Sequence, residues 1–216
     1  MLTIKNLSKS YEEGKVKALD NLSLFINQGE IVALMGPSGC GKSTLLNLIG
    51  ALDSPDSGEI FIQDRPIDQY TPFNKYRSEM IGFVFQSHYL IPSMTLLENV
   101  ELPMYTHESS RNLRRNNAEM MLKETGLADR MHFYPNSVSG GERQRAAIAR
   151  SLVNNPEIVL ADEPTGSLDS KTGVKVISFL INFCLMNSTT MIMATHNPVV
   201  SNMAQQTMHM NDGRII

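Results

Sequence analysis

Gly36-Pro37-Ser38-Gly39-Cys40-Gly41-Lys42-Ser43-Thr44 is the stretch that decides the fold of this chain. It follows an apolar run, Ile31–Met35, which predicts a buried parallel strand, and it precedes Leu45–Ile49, which predicts a helix. In a glycine-rich turn between a strand and a helix, successive backbone N–H groups curl around a phosphate, and the helix N-terminus adds its positive end. The stretch therefore predicts a phosphate-binding loop and a nucleotide site.

Two side chains at the end of this loop carry the predicted chemistry. The Lys42 ammonium is a point charge for the β- and γ-phosphates. The Ser43 hydroxyl suits a Mg²⁺ ion that keeps most of its waters. The plainer alternative, a glycine turn that arises by chance, is disfavoured because a strand pattern precedes the turn and a helix pattern follows it.

Length and composition exclude several classes of protein. A chain of 216 residues suits one large domain or two small ones, and its net charge of −3 gives no general reason to expect nucleic acid. Cys40 and Cys184 lack metal-ligand spacing, which indicates free thiols in a reducing compartment. Because the sequence has no signal-peptide pattern and no apolar run of roughly 20 residues, we expect a cytosolic protein that another chain holds at any membrane where it works.

A second acidic motif follows another apolar run. Ile158–Ala161 predicts a buried strand that ends in Asp162-Glu163. Ligands of open α/β sheets bind beyond the carboxyl ends of the strands, so we expect both carboxylates to face the phosphate loop. One carboxylate can hold Mg²⁺, usually through water, and the next can polarise an attacking water. The alternative is an acid pair that caps a turn.

The remaining motifs identify a family. Ser139-Gly140-Gly141, at a predicted helix start, is a second element suited to anions. Together with Gln86, Asp169 and His196, it makes the chain resemble the ATP-binding subunits of ABC transporters over essentially its whole length. Val138–Glu142 is similar to the signature motif of that family, which other phosphate-loop families lack.

The resemblance implies a fold. It is α/β, with a P-loop NTPase core and a mainly parallel sheet, an N-terminal antiparallel β subdomain and a helical insertion over approximately residues 87–137. All of it would lie in a single ATP-binding domain of residues 1–216. The arginines Arg111, Arg114 and Arg115 in the insertion are expected to form a solvated helix face, because no aromatic stacking platform accompanies them.

The resemblance also implies the cofactors, ATP and Mg²⁺, and the roles of individual residues. The catalytic group would be Glu163, His196, Gln86 and Lys42. Ser43, Gln86 and Asp162 would face the metal. The nucleotide would contact Tyr11, Gly36, Pro37, Ser38, Gly39, Cys40, Gly41, Lys42, Ser43, Thr44, Asp162, Ser139, Gly140, Gly141 and Asp169. Tyr11 matches the aromatic that stacks on adenine, and Ser167-Leu168-Asp169 is similar to the D-loop.

The expected partners follow from the same resemblance. Met35–Gly39, Leu46–Gly50, Ile81–Gln86 and Glu98–Pro103 are similar to one subfamily. It serves lipoprotein release, macrolide and antimicrobial-peptide export and, in one branch, cell-division signalling. We therefore expect a permease with a large extracytoplasmic domain, a location on the inner face of the cell membrane through that permease, a head-to-tail homodimer around two ATP molecules, and no nucleic acid.

Three alternatives stay open beside a transport motor. These are a mechanotransmission subunit of the cell-division type, a non-transport ABC ATPase, and a clamp that binds ATP without hydrolysis. DNA-repair ATPases of this kind carry coiled-coil or zinc-bearing insertions, which this sequence lacks. Glu163 and His196 argue against the clamp.

Departures from the family pattern carry their own expectations. Glu142 replaces the usual Gln and adds negative charge near a phosphate site, which we expect to weaken ATP-driven closure. Val138 stands where Leu is usual, and Ser167 where Ala is common. Ser87–Pro92 is unusually apolar for a loop, and we expect it to receive a cytoplasmic helix of the permease.

Overall fold

The computed structural model describes residues 1–106, 108 and 110–216. Within these residues the strands are, in chain order, β1 (Leu2–Tyr11), β2 (Val16–Ile26), β3 (Ile31–Met35), β4 (Ser57–Ile62), β5 (Arg65–Pro66), β6 (Ile81–Phe85), β7 (Ile158–Asp162), β8 (Thr190–Thr195), β9 (Gln206–Asn211) and β10 (Arg214–Ile215). The helices are α1 (Lys42–Ile49), α2 (Phe73–Met80), α3 (Leu96–Glu101), α4 (Arg111–Glu124), α5 (Gly140–Leu152), α6 (Ser170–Asn187) and α7 (Pro198–Ser201). Short 3₁₀ turns cover Ile67–Gln69, Leu102–Thr106, Ala128–Arg130 and Pro135–Ser137.

The strands form two sheets. One is antiparallel, in the order β2-β1-β4-β5, and the other has the order β10-β9-β3-β8-β7-β6. From β9 to β6 the second sheet is parallel, and only β10 runs antiparallel to its neighbour. Its central strands β3, β7 and β8 are buried almost throughout, as expected of parallel strands with both faces covered.

The register of the parallel sheet positions the site. Met35 at the end of β3 pairs with Thr195 at the end of β8, and Asp162 at the end of β7 pairs with Ala194. The loops that follow these three strands therefore leave the sheet side by side at its carboxyl edge, where ligands of open α/β sheets bind.

Helices α3, α4 and α5 share one apolar core with one side of the parallel sheet. A second core lies between α1, the other side of that sheet and the antiparallel sheet. Within the described residues, none of the helices combines the length and apolar character needed to cross a bilayer. The predicted α/β fold, with its parallel core, antiparallel N-terminal sheet and added helices, is confirmed. The extent of the insertion and the single domain over residues 1–216 stay predictions.

Sequence patterns missed helix α2. Its residues are mostly polar, and only Tyr76 is fully buried. The Tyr76 hydroxyl donates to the Ile49 carbonyl at 2.7 Å, and Arg77 donates to the Ala51 carbonyl at 2.8 Å. These long-range contacts, which tie α2 to the end of α1, leave no periodic signal in the sequence.

Candidate nucleotide-binding site

The loop between β3 and α1 has the backbone that a phosphate cradle needs. Gly39 and Gly41 have φ angles of 81° and 104°, in the left-handed region that favours glycine. A Cβ at Gly41 would lie 2.2 Å from the Ala18 carbonyl oxygen, so no larger residue fits there. Helix α1 begins directly afterwards at Lys42, and its first turn presents backbone N–H groups that have no partner within the helix.

Lys42 lies over this loop. Its ammonium donates to the carbonyl oxygens of Gly36 at 2.8 Å and Pro37 at 2.9 Å, and it lies 3.6 Å from the Cys40 sulfur. The residue is 8% exposed. In the part of the chain that the structure describes, no carboxylate forms an ion pair with Lys42. Neutral carbonyls therefore hold the ammonium and leave its charge available to an anion.

A cleft of about 360 Å³ opens beside the loop. It brings together the phosphate loop, the start of α1, the acidic end of β7 and one edge of the antiparallel sheet. Its wall is formed by Tyr11, Val16, Ala18, Ser38, Gly39, Gly41, Lys42, Ser43, Thr44, Asp162 and Glu163. The cleft thus unites the two groups of residues that the sequence predicted separately. The other predicted site residues lie outside its wall, with Gly36, Pro37 and Cys40 in the adjoining loop.

Tyr11 is the aromatic residue on the wall of the cleft. It ends β1, is 38% exposed, and donates its hydroxyl to Asp53 at 2.8 Å. The Lys9 ammonium lies 3.0 Å from Asp53 and 5.2 Å from the centre of the Tyr11 ring. Burial raises the pKa of Tyr11, and the hydrogen bond to Asp53 adds to the rise. Burial opposes ionisation of Asp53, but the hydrogen bonds from Tyr11 and Lys9 outweigh it and lower the pKa of Asp53. These contacts fix the ring at the cleft mouth.

The carboxylates follow β7. Asp162 ends the strand, and Glu163 turns the chain with a φ angle of 45°. The Glu163 N–H donates to the Ala194 carbonyl of the neighbouring strand at 3.0 Å. Nδ1 of His196 lies 2.8 Å from Oε1 of Glu163. Because an ionised carboxylate only accepts hydrogen bonds, Nδ1 is the donor in this pair.

Gln86 lies next to the loop that follows Glu163. A Cβ at Gly166 would lie 2.7 Å from the Gln86 side-chain nitrogen, so the amide packs directly against that glycine. The hydroxyl of the next residue, Ser167, lies 3.4 Å from Nε2 of His88. The segment after β6 and the segment after β7 therefore contact each other through side chains.

Ser139, Gly140 and Gly141 form the start of α5, apart from the cleft wall. Asp169 caps α6, accepting N–H groups of Lys171 and Thr172 at 3.1 Å each. A Cβ at Gly141 would lie 3.4 Å from the Thr172 methyl group. The structure thus brings the starts of α5 and α6 together, although neither contributes to the cleft of the same chain.

Arg150, on helix α5, was not predicted from the sequence as a functional residue. Its guanidinium donates to the carbonyl oxygens of Tyr89 at 2.6 Å and His88 at 2.7 Å. His88 and Tyr89 have φ angles of 60° and 46°. Burial lowers the pKa of Arg150. A cation within the mostly apolar stretch Ala146–Val153 was the one signal available, and it does not indicate the partner.

Comparisons with known proteins agree with this site. A family model described as ABC transporter matches residues 19–166. An uncharacterized ABC transporter ATP-binding protein of Methanocaldococcus jannaschii, MJ1508, is 44% identical over 100% of this chain and 98% of its own length. The lipoprotein-releasing system ATP-binding protein LolD of Rickettsia bellii is 42% identical over 91% of this chain and 89% of its own. The expected resemblance to the lipoprotein-release subfamily is confirmed.

A solved structure matches the whole fold. The ATP-binding cassette MJ0796, in a dimeric post-hydrolysis state bound to ADP and Pi, superposes with a TM-score of 0.91 at 43% identity, covering 100% of this chain and 96% of that one. The likeness extends over both sheets and over every element that carries a predicted site residue. The chain belongs to the ABC transporter family, as an ATP-binding subunit that hydrolyses ATP.

Proposed function

We propose that this subunit drives a membrane permease with a large extracytoplasmic domain, in the release or export of lipoproteins, macrolides or peptides. It would lie on the inner face of the cell membrane, where the permease holds it. The observation that carries the proposal is the turn after Gln86, which joins the nucleotide site to an exposed aromatic residue, Tyr89. The relation to LolD proteins supports the class of cargo.

The cleft supports one orientation for ATP. The backbone N–H groups of the phosphate loop and the Lys42 ammonium hold the β- and γ-phosphates. The Tyr11 ring stacks on adenine, since its hydroxyl contact with Asp53 fixes it at the cleft mouth. A positively charged loop and an aromatic wall thus bind the two ends of the nucleotide.

The donor set suits Mg²⁺. Ser43 and Asp162 offer hydroxyl and carboxylate oxygens on the wall of the same cleft. Gln86 offers an amide oxygen directly after Phe85, which pairs with Asp162. No group of three His, Cys, Asp or Glu side chains among the described residues is placed to hold a metal. That agrees with an ion that takes most of its ligands from phosphate and water. When bound, Mg²⁺ neutralises charge on the phosphates.

Hydrolysis falls to the residues at the end of β7. Glu163 accepts a hydrogen bond from the attacking water and orients it toward the γ-phosphorus. His196 holds the Glu163 carboxylate through the 2.8 Å contact. The water oxygen bonds to the γ-phosphorus while the bond from that phosphorus to the bridging oxygen breaks, one proton of the water passes to the Glu163 carboxylate, and ADP and phosphate result.

The separation of the α5 start from the cleft supports a homodimer. Within one chain, one ATP needs only one phosphate cradle, yet the chain offers two elements suited to anions. A two-fold axis presents Ser139 of one copy to the γ-phosphate that the other copy holds, and such an interface is self-complementary. Asp169, beside the start of α5, lies at the same interface.

The surface that meets the permease is the turn after Gln86. Tyr89 is 65% exposed and packs edge-on against Phe85, with 5.2 Å between ring centres. Its backbone is held by Arg150 on helix α5. The turn therefore contacts the end of β6, next to Gln86, on one side and helix α5, which starts after Ser139, on the other. A permease helix that binds Tyr89 would be coupled to both elements.

The test is Tyr89→Asp, with Tyr89→Phe and Phe25→Asp as matched controls, since Phe25 is an aromatic residue 56% exposed elsewhere. Each tagged variant is purified from detergent-solubilised membranes, its partner is identified by mass spectrometry, and cargo release is followed in vesicles. We expect Tyr89→Asp alone to lose the permease, while ATPase activity without the permease stays within about twofold of wild type. Undiminished co-purification and cargo release would overturn the proposal. A wild-type complex that retains its permease but releases no cargo would indicate the mechanotransmission branch.

A further inference from the structure

The start of helix α5 is engaged within its own chain. The Ser139 hydroxyl and the Ser139 N–H both donate to Oε2 of Glu142, at 2.8 Å each. In return, the Glu142 N–H donates to the Ser139 hydroxyl oxygen at 3.3 Å. The Ser139 hydroxyl, which would donate a hydrogen bond to a phosphate oxygen, therefore already donates to a carboxylate.

The other oxygen of this carboxylate has a second partner. Nε of Arg130 donates to Oε1 of Glu142 at 3.2 Å. Arg130 ends the 3₁₀ turn after α4, and its guanidinium lies 4.9 Å from the centre of the Phe133 ring. The side chains of Arg130 and Glu142 are 47% and 22% exposed. One carboxylate thus joins Ser139 on one oxygen and an arginine on the other.

The charge of Glu142 is fixed by these contacts. The hydrogen bond from the Ser139 backbone, then the Ser139 hydroxyl and Arg130, lower the pKa of Glu142, so it is ionised at neutral pH. A carboxylate at a helix N-terminus stabilises the free helix, but it occupies the position where the same dipole would attract phosphate.

Helix α3 offers an internal comparison. It starts with the same arrangement, in which the Thr95 hydroxyl and N–H donate to Oε2 of Glu98 at 2.8 and 2.7 Å. Among the described residues Glu98 has no ion-pair partner within 4 Å. The cap alone is therefore an ordinary helix start, and what distinguishes α5 is the arginine on the second oxygen.

We propose that Glu142 is an internal competitor for Ser139, and that Arg130 is a positioning residue that draws the carboxylate away when a second copy brings its phosphate. A rotation of Glu142 toward Arg130 frees the Ser139 hydroxyl without breaking the ion pair. The pair sets the ATP concentration at which two copies associate. This inference rests on the dimer of the proposed function.

The two residues are predicted to act in opposite directions. Without Glu142, Ser139 is free and the repulsion from phosphate disappears. Without Arg130, the carboxylate has no alternative partner and its charge is uncompensated. We therefore expect Glu142→Gln to lower the ATP concentration for half-maximal dimerisation about threefold, and Arg130→Met to raise it about threefold. In the presence of Glu142→Gln, Arg130→Met should have no further effect.

The experiment uses the full chain in a Glu163→Gln background, titrated with ATP and followed by light scattering. Glu98→Gln makes the same chemical change in the α3 cap and serves as the control, with no expected shift of the ATP midpoint. Thermal unfolding of each variant separates a cap effect from the competition. If Glu142 only capped the helix, its substitution would lower the unfolding temperature and would leave or raise the ATP midpoint of dimerisation.

Three outcomes would overturn the inference or the part of it that concerns Arg130. If the variants dimerise but Glu142→Gln leaves the midpoint unchanged or raises it, the competition is wrong and the proposed dimer stands. If no variant dimerises at any ATP concentration, Glu142→Gln included, the dimer is wrong and the competition falls with it. Additive effects of Arg130→Met and Glu142→Gln would show that Arg130 does not act through the carboxylate.

Discussion

His196 Nδ1 lies 2.8 Å from Glu163 Oε1, although 33 positions separate the two residues in the sequence. The contact follows from the register of β7 and β8, in which Asp162 pairs with Ala194. The Glu163 N–H also donates to the Ala194 carbonyl, so the backbone and the side chain of the glutamate are both held by the neighbouring strand. Two adjacent parallel strands thereby fix the direction of the carboxylate.

The first prediction concerns this pair. His196→Ala removes the donor that orients Glu163 but leaves the charges that hold phosphate in the cleft. We expect kcat for ATP hydrolysis to fall at least about tenfold, with little change in ATP affinity. The measurement is steady-state hydrolysis together with binding of a fluorescent ATP analogue. His132→Ala, at an exposed histidine away from the cleft, is the control, and equal kcat values for the two variants would contradict the assignment.

Strong local patterns made the fold predictable. Ile31–Met35 and Ile81–Phe85 have the strand bounds that their apolar runs predict, because strands buried on both faces of a parallel sheet need continuous apolar residues. Apolar residues with helical spacing run from Val174 to Leu185 and predict a helix, and the structure has it over Ser170–Asn187. Ends were less predictable. The alternation of apolar and polar residues predicts a strand over Leu2–Leu7, but β1 continues to Tyr11 because its pairing with β2 extends to that residue.

The site was predictable where its residues follow strands and unpredictable where contacts cross the fold. Asp162 and Glu163 follow an apolar run, so their position at the cleft could be inferred. Asp53, in contrast, lies in a turn-rich segment and reaches Tyr11 across 42 positions. Arg150 reaches Tyr89 across 61 positions. Neither contact leaves a local pattern, because the partners are far apart in the sequence and only the tertiary fold brings them together.

The second prediction concerns pH and Asp53. Its pKa is lowered from the ordinary value of 3.8, so its ionised form stabilises the folded chain above that value and loses the effect as pH falls through the lowered pKa. We expect Asp53→Asn to unfold at a lower urea concentration than wild type at pH 7. The difference should shrink as pH falls below 3.8. Urea titrations from pH 7 to pH 3 measure it, and a difference that is constant over this range would contradict the role of the charge.

The third prediction concerns Lys42. Its ammonium is held by the Gly36 and Pro37 carbonyls, so its removal leaves no carboxylate without a counter-charge. We expect Lys42→Ala to fold, to bind ATP at least about tenfold more weakly, and to lose nearly all hydrolysis. Binding of a fluorescent ATP analogue and phosphate release provide the measurements. Lys175→Ala, at an exposed lysine of α6, is the control, and wild-type hydrolysis by Lys42→Ala would refute the assignment.

The last prediction concerns the dimer and joins the two anion-binding elements in one mechanism. Glu163→Gln keeps the shape of the side chain but removes the charge that orients water, so we expect this variant to bind ATP, hardly hydrolyse it, and accumulate as a dimer in ATP but not in ADP. Adding Ser139→Arg should abolish that dimer, because a bulky side chain replaces the hydroxyl that meets the partner's γ-phosphate, while nucleotide binding to the monomer stays largely intact. Thr95→Arg, at the equivalent cap of α3, disturbs a helix start of the same kind and should leave the dimer in place. Size-exclusion chromatography with light scattering, in ATP and in ADP, distinguishes the variants. A dimer that survives Ser139→Arg, or one that Thr95→Arg abolishes equally, would show that the start of α5 does not bind the second nucleotide.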